Sequence, residues 1–157
     1  MEENDVRRLV NGWHMRARQE DEHVTRFVFL WFCFNAWLTY ESNKDTDAAM
    51  IRWLARQRAE VSQLRAAFAL SMQSRNFVSY VQRLADLSPV TSNGSTPREF
   101  RINSLEDFSN IIWCIYQVRC NLFHGTKRPE DSRDQELVRT CARILEAWVG
   151  CLVSGWG

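Results

Sequence analysis

The chain is 157 residues long, 45% hydrophobic and 25% charged, with a formal net charge of +1. That length suits one domain, 1–157, with a sizeable core, and that balance describes a globular protein rather than a disordered or fibrous one. A charge so near zero excludes a global basic field for nucleic acid, so any such binding needs a local patch.

The N-terminus, Met1-Glu2-Glu3-Asn4-Asp5, is acidic and has no apolar signal region. Asn4 or Asp5 is expected to cap a first helix with Val6, Leu9, Val10 and Trp13 on one side. Glu20 to Glu22 reads as a charged joint or a solvated turn. A second helix, from about Val24 to Tyr40, is apolar on nearly every face and belongs at the centre. The apolar run it carries, about 14 residues with Asn35 inside it, is too short and too polar to span a bilayer. Asn35 is an amide in apolar surroundings and needs partners. They are either a neighbouring backbone or the candidate site residues below.

After a polar turn, Glu41 to Asp47, a third helix is expected, capped by Asp45 or Thr46. Its stripe is Met50, Trp53, Leu54, Val61, Leu64, Phe68 and Met72, and Arg52, Arg56, Arg58 and Arg65 decorate it as a solvated face or a patch for an RNA backbone. A short helix runs from about Asn76 to Leu87. Ser88 to Asn103, with Pro89, Gly94 and Pro97, reads as a flexible loop, and Arg98 and Arg101 give it the means to cover a substrate. No strand pattern is found. The last helix opens at Ser132-x-x-Gln135 and turns Leu137, Cys141, Ile144, Leu145, Trp148 and Leu152 inward. These elements predict an all-α bundle of four to six helices.

The five cysteines, at 33, 114, 120, 141 and 151, are odd in number and form no Cys-x-x-Cys. They read as reduced core residues of a cytoplasmic protein. Three scattered histidines make no metal-ligand cluster, so neither metal nor cofactor is expected. Seven Trp and nine Phe exceed what a core of this size needs and point to a buried partner surface.

The helix before the last one organises this reading, and Ile111, Trp113, Cys114 and Val118 make its other faces apolar too, so it is expected at the centre beside the second helix. Ser104-Leu-Glu-Asp107 resembles a capping box, and Leu105, Phe108, Ile112, Ile115, Arg119 and Leu122 keep helical spacing. Gly125 suits the left-handed position after the last turn, and His124 falls on that turn, where the negative end of the helix dipole favours a cation. Arg119 and His124 stand roughly 140° and about 7.5 Å apart on a regular helix, so they share a cleft only if the last turn loosens. Arg18 and His23 repeat the spacing, but Glu20, Asp21 and Glu22 lie between them and repel an anion. Lys127 and Arg128 follow the second pair. Read from residue type alone, His124 is a C-capping histidine or a proton-transfer group, and Arg119 is a paired structural arginine or an anion clamp.

Arg119-Cys-Asn-Leu-Phe-His124-Gly-x-Lys127, with Pro129 and Ser132-Arg-Asp-x-Glu-Leu137 after it, resembles the signature of the HEPN superfamily. Phe29 to Tyr40 resembles the aromatic helix that precedes that signature in many members. The resemblance implies an all-α HEPN-like bundle and a twofold homodimer in which paired Arg-x4-His motifs meet. It implies a metal-independent endoribonuclease, a toxin or defence effector with an antitoxin or other partner protein, whose catalytic pair is Arg119 and His124. Cys120 stands where members often carry Asn, and Asn121 follows it, so Cys120, Asn121 and Asn35 are the supporting residues. Thr126 replaces the tyrosine found two after the histidine in some toxin members.

The chemistry of such a pair is concrete. The 2′-hydroxyl of RNA attacks the adjacent phosphate when a base takes its proton, an acid protonates the leaving 5′-oxygen and a cation steadies the phosphorane. Imidazole suits either proton role and guanidinium supplies the charge. One chain offers one well-placed histidine, so the second must come from a twofold partner. Lys127 and Arg128 are expected to hold the RNA backbone. The competing reading is a non-catalytic HEPN-like interaction module that binds a partner protein or a nucleotide.

Overall fold

A computed structural model of the chain describes residues 1–92, 96–124 and 131–157. The chain is mostly helical. Among the described residues seven helices form, α1 Glu3–Gln19, α2 His23–Ser42, α3 Asp47–Ala55, α4 Gln63–Ser71, α5 Arg75–Leu87, α6 Phe108–Phe123 and α7 Ser132–Ser154. Two short strands, β1 Val90–Thr91 and β2 Glu99–Phe100, stand between α5 and α6.

Helix α1 starts ahead of the expected caps. Glu2 is the N-cap and gives no side-chain bond, while Glu3 and Asp5 sit in the first turn, where the positive dipole end favours carboxylates. Val6 and Val10 are buried against α2, but Leu9 is exposed, so the expected stripe is narrower. The acidic joint has a definite job: the Glu22 carboxylate accepts from the Val24 and Thr25 amides at 3.0 and 2.7 Å and caps α2. Burial works against its ionisation, yet these hydrogen bonds hold the Glu22 carboxyl below the usual range. Asn43, left-handed at φ 54°, ends α2.

The expected third helix is two. Thr46 caps α3 as read, but α3 ends at Ala55 and α4 starts only at Gln63. No Gly or Pro breaks the stretch. The Ser62 hydroxyl accepts from the Arg65 amide at 3.1 Å and caps α4, and the Glu41 carboxylate, at the end of α2, accepts from that hydroxyl and from the Gln63 amide at 2.8 Å, so a fresh N-terminus is fixed there. Val61 falls in the break and is exposed. Arg65 is no part of a solvated face. Its guanidinium lies 4.1 Å from the Phe108 ring, and burial lowers its pKa.

The axis of the bundle is α7, which touches α1, α2, α4, α5 and α6. Trp148 is fully buried on it, among the rings of Phe34, Phe68 and Phe108 at 4.9 to 5.9 Å, and its indole N–H donates to the Leu64 carbonyl at 2.8 Å. Asp131, one residue before the expected start, caps it. Helix α6, expected at the centre beside α2, lies instead to one side, against α3 and the strands. It is apolar all round because α3 and the strand pair cover its other faces. It meets α2 through the Trp31 and Tyr116 rings, 6.2 Å apart.

The capping box before α6 does not form as expected. Asp107 itself is the N-cap and accepts from the Asn110 amide at 3.3 Å, with Ser104 in the turn ahead of it. The segment 88–103 holds the strands that periodicity missed. Val90 pairs with Phe100 and Thr91 with Glu99, antiparallel. Phe100 stacks on Trp113 at 5.7 Å, and the Asn121 amide donates to the Thr91 carbonyl at 3.1 Å. Strands of two residues carry too few side chains to show a period.

Of the five cysteines, Cys33, Cys114 and Cys141 are buried, Cys120 and Cys151 are half-buried, and none is held in a disulfide. Burial pushes the Cys33 and Cys114 thiols up to about 12. No helix among the described residues is long and apolar enough to cross a membrane.

Candidate functional site

Arg119 projects from the end of α6 into the shoulder where α6 meets α2 and α3. Its Nη2 lies 3.1 Å from the Asp47 Oδ2 in the first turn of α3. Its guanidinium carbon lies 4.5 Å from the Phe123 ring and 5.7 Å from the Trp31 ring. The side chain is 20% exposed. Nε is sealed from solvent and has no hydrogen-bond partner. Cys120 is half-buried beside it, with Sγ 3.9 Å from Nη1, a contact too long to be a strong hydrogen bond.

Tyr116 completes this face of the helix. Burial raises its pKa most; its hydrogen bond with the Cys120 side chain and the nearby Asp47 charge add to that, against Arg119. The phenol therefore stays protonated as a potential donor. Tyr116, Arg119, Cys120 and Phe123 follow the spacing i, i+3, i+4, i+7, which is one helical face. That stripe was readable in the sequence. Trp31 and Asp47, both essential to the Arg119 environment, were not, because they come from other helices.

His124 is the C-cap of α6 and is exposed. Its amide still donates to the Cys120 carbonyl at 3.0 Å, so the helical turn persists through the cap. The loosening expected of the last turn does not reach His124, and the two side chains leave the helix at different azimuths. Gly125, Lys127 and Arg128 lie outside the described residues. The decoy pair is split: Arg18 is exposed on α1, whereas His23 opens α2 with Nε2 buried and without a partner.

The supporting residues fall into different positions. Asn121 is buried, accepts from the Gln117 amide at 2.7 Å and ties α6 to Thr91, so it anchors the strand pair. Asn35 stands one turn after Trp31 on α2, half-buried, with Oδ1 sealed from solvent and unpartnered. Neither expected partner, a neighbouring backbone or the Arg119–His124 pair, bonds that oxygen. Among the described residues, no cluster of three His, Cys, Asp or Glu could hold a metal ion.

Clefts flank the axial helix elsewhere, two of them beside ionisable side chains. One of about 410 Å³ lies between α5 and α7, lined by Tyr80, Arg143 and Glu146 among others. The other, of about 780 Å³, lies between α1 and α7, with His14, Arg18 and Glu146 in its walls. Neither includes Arg119 or His124. Comparison with protein-family models, with curated proteins and with solved structures gives no match for this chain.

Proposed function

We propose that the chain is a metal-independent endoribonuclease of the HEPN type, acting as a homodimer with Arg119 and His124 of each subunit in one composite site. The observation that carries the reading is the end of α6, where a guanidinium restrained by Asp47, Trp31 and Phe123 is followed by an exposed histidine at the cap. A restrained guanidinium steadies the phosphorane without reorganising, and an exposed imidazole can approach a 2′-hydroxyl or a leaving oxygen. Within one chain the two groups diverge, so a twofold partner supplies the second histidine. Cleavage then leaves a 2′,3′-cyclic phosphate. The role of a toxin or defence effector, cytoplasmic and held by an antitoxin, belongs to the same proposal.

Labelled RNA incubated with the protein in EDTA tests it. The wild type should cut RNA but not DNA, and mass spectrometry should find the cyclic phosphate. Arg119→Ala and His124→Ala should each lower cleavage by at least about 100-fold with helicity unchanged, while Arg18→Ala and His23→Ala leave it intact. A linear 5′-phosphate that forms only with magnesium rules the mechanism out. A second reading has its own support: Asp47 and the two rings already engage Arg119, as in a purely structural arginine. On that reading the chain is a non-catalytic interaction module, and no variant changes a cleavage that never occurs.

A further inference from the structure

We propose that Asp47 is the positioning residue of Arg119, the group that sets the rotation of its guanidinium and so aims its free edge at the phosphate; this rests on the ribonuclease reading. Trp31 and Phe123 meet the guanidinium as rings. A ring attracts the cation over its face but has no direction within that plane, so stacking restrains tilt and leaves rotation free. Only a directional acceptor fixes rotation. Among the described residues Asp47 is the one anionic partner of Arg119, with Oδ2 3.1 Å from Nη2. Nε finds no acceptor, and Cys120 Sγ at 3.9 Å is too distant to steer Nη1. Among the described residues no oxygen lies on Nη1, which remains for an anion.

The placement of Asp47 is a product of α3. The Thr46 hydroxyl accepts from the Ala49 amide at 3.2 Å and starts the helix. Asp47 thereby falls in the first turn, where the positive dipole end favours its carboxylate. Packing of α3 on α6 brings that turn to Arg119, across 72 positions of sequence. Asp47 touches no reacting atom and acts only through Arg119. At 30% exposed it is open to water, which screens the pair, so its worth lies in direction more than in stability.

The test uses the full chain with Asp47→Ala, Asp47→Asn and Asp47→Glu, and two readouts. The first is the Nε–H signal of Arg119 in nitrogen-15 NMR, assigned by its loss in Arg119→Lys. It should be sharp in the wild type, broadened in the Ala variant, intermediate in the Asn variant, which keeps a neutral acceptor oxygen, and recovered in the Glu variant. The second is RNA cleavage, where kcat should fall by about 10- to 100-fold in the Ala variant, and by less in the Asn variant, with KM within about twofold. The Glu variant should recover part of that rate. An unchanged Arg119 signal in Asp47→Ala overturns the proposal, as does an unchanged kcat in a wild-type-active protein or a loss confined to KM. Faster cleavage by Asp47→Ala also overturns it and makes the pair an inhibitory lock. A wild type that cuts no RNA, but whose Arg119 signal broadens on loss of Asp47, sinks the ribonuclease reading and leaves the hold of Asp47 on Arg119 standing.

Discussion

His14 illustrates how a single side chain couples this fold to pH. It lines the cleft between α1 and α7, and burial lowers its pKa below the ordinary 6.5, reinforced by Arg18 and opposed by Glu146. The folded protein therefore resists a proton that the unfolded chain accepts. Stability is greatest above pH 6.5 and falls as the pH drops through that value, because the unfolded state then binds more protons. Denaturant unfolding should show a smaller free energy at pH 5.5 than at pH 7.5, and His14→Gln should flatten the slope. The depressed carboxyls Glu22 and Glu136 act in a separate, lower window: their contribution is present above the ordinary 4.5 and is lost as pH falls through their folded values. A His14→Gln protein with the wild-type slope would place the pH dependence on another group.

At the scale of elements, the junction of α2 and α4 depends on one carboxylate. Glu41 accepts from the Trp37 indole at 3.2 Å, from the Ser62 hydroxyl and from the Gln63 amide. Its removal leaves a buried hydroxyl and an indole N–H without an acceptor and frees the first turn of α4. Glu41→Ala should destabilise the protein by about 1–3 kcal/mol, read from the denaturant midpoint at constant slope. Glu41→Gln keeps an acceptor and should lose less. If the two variants unfold alike at the wild-type midpoint, the break between α3 and α4 has another cause. The single third helix was expected because the stretch around residues 56–62 has no Gly or Pro; the local signal missed was Ser62, whose hydroxyl accepts from the Arg65 amide at 3.1 Å and caps α4, and the Glu41 carboxylate that holds it stands about twenty residues earlier.

For the whole molecule, the proposed composite site requires assembly. A homodimer should scatter light as twice the 18.5 kDa chain at micromolar concentration. The exposed Phe123, which lies against Arg119 and next to His124, is an apolar group beside the proposed meeting point. A clean monomer at that concentration would remove the second histidine and with it the acid–base pair, whatever the fate of Arg119.

Much of the bundle was legible in the sequence because helices announce themselves locally. The stripe of α7, the boundaries of α5 and the all-round apolar character of α2 and α6 follow from spacing alone. The Thr46 cap was legible for the same reason, since a cap is a bond between neighbours. The sequence pointed to α6 as the central helix, because all its faces are apolar, but α7 is apolar enough too, and only packing puts Trp148 among Phe34, Phe68 and Phe108 and leaves α6 beside α3. The candidate site divides along the same line. Arg119 and His124, and the stripe of Tyr116, Cys120 and Phe123 around them, belong to one helix and its periodicity. Asp47 and Trp31 reach Arg119 only through tertiary contact, and Asn121 turns out to hold a strand pair that periodicity cannot reveal. A local pattern records the angle at which a side chain leaves its own helix; the partner it meets depends on how two helices dock, and that is set by the burial of the whole core.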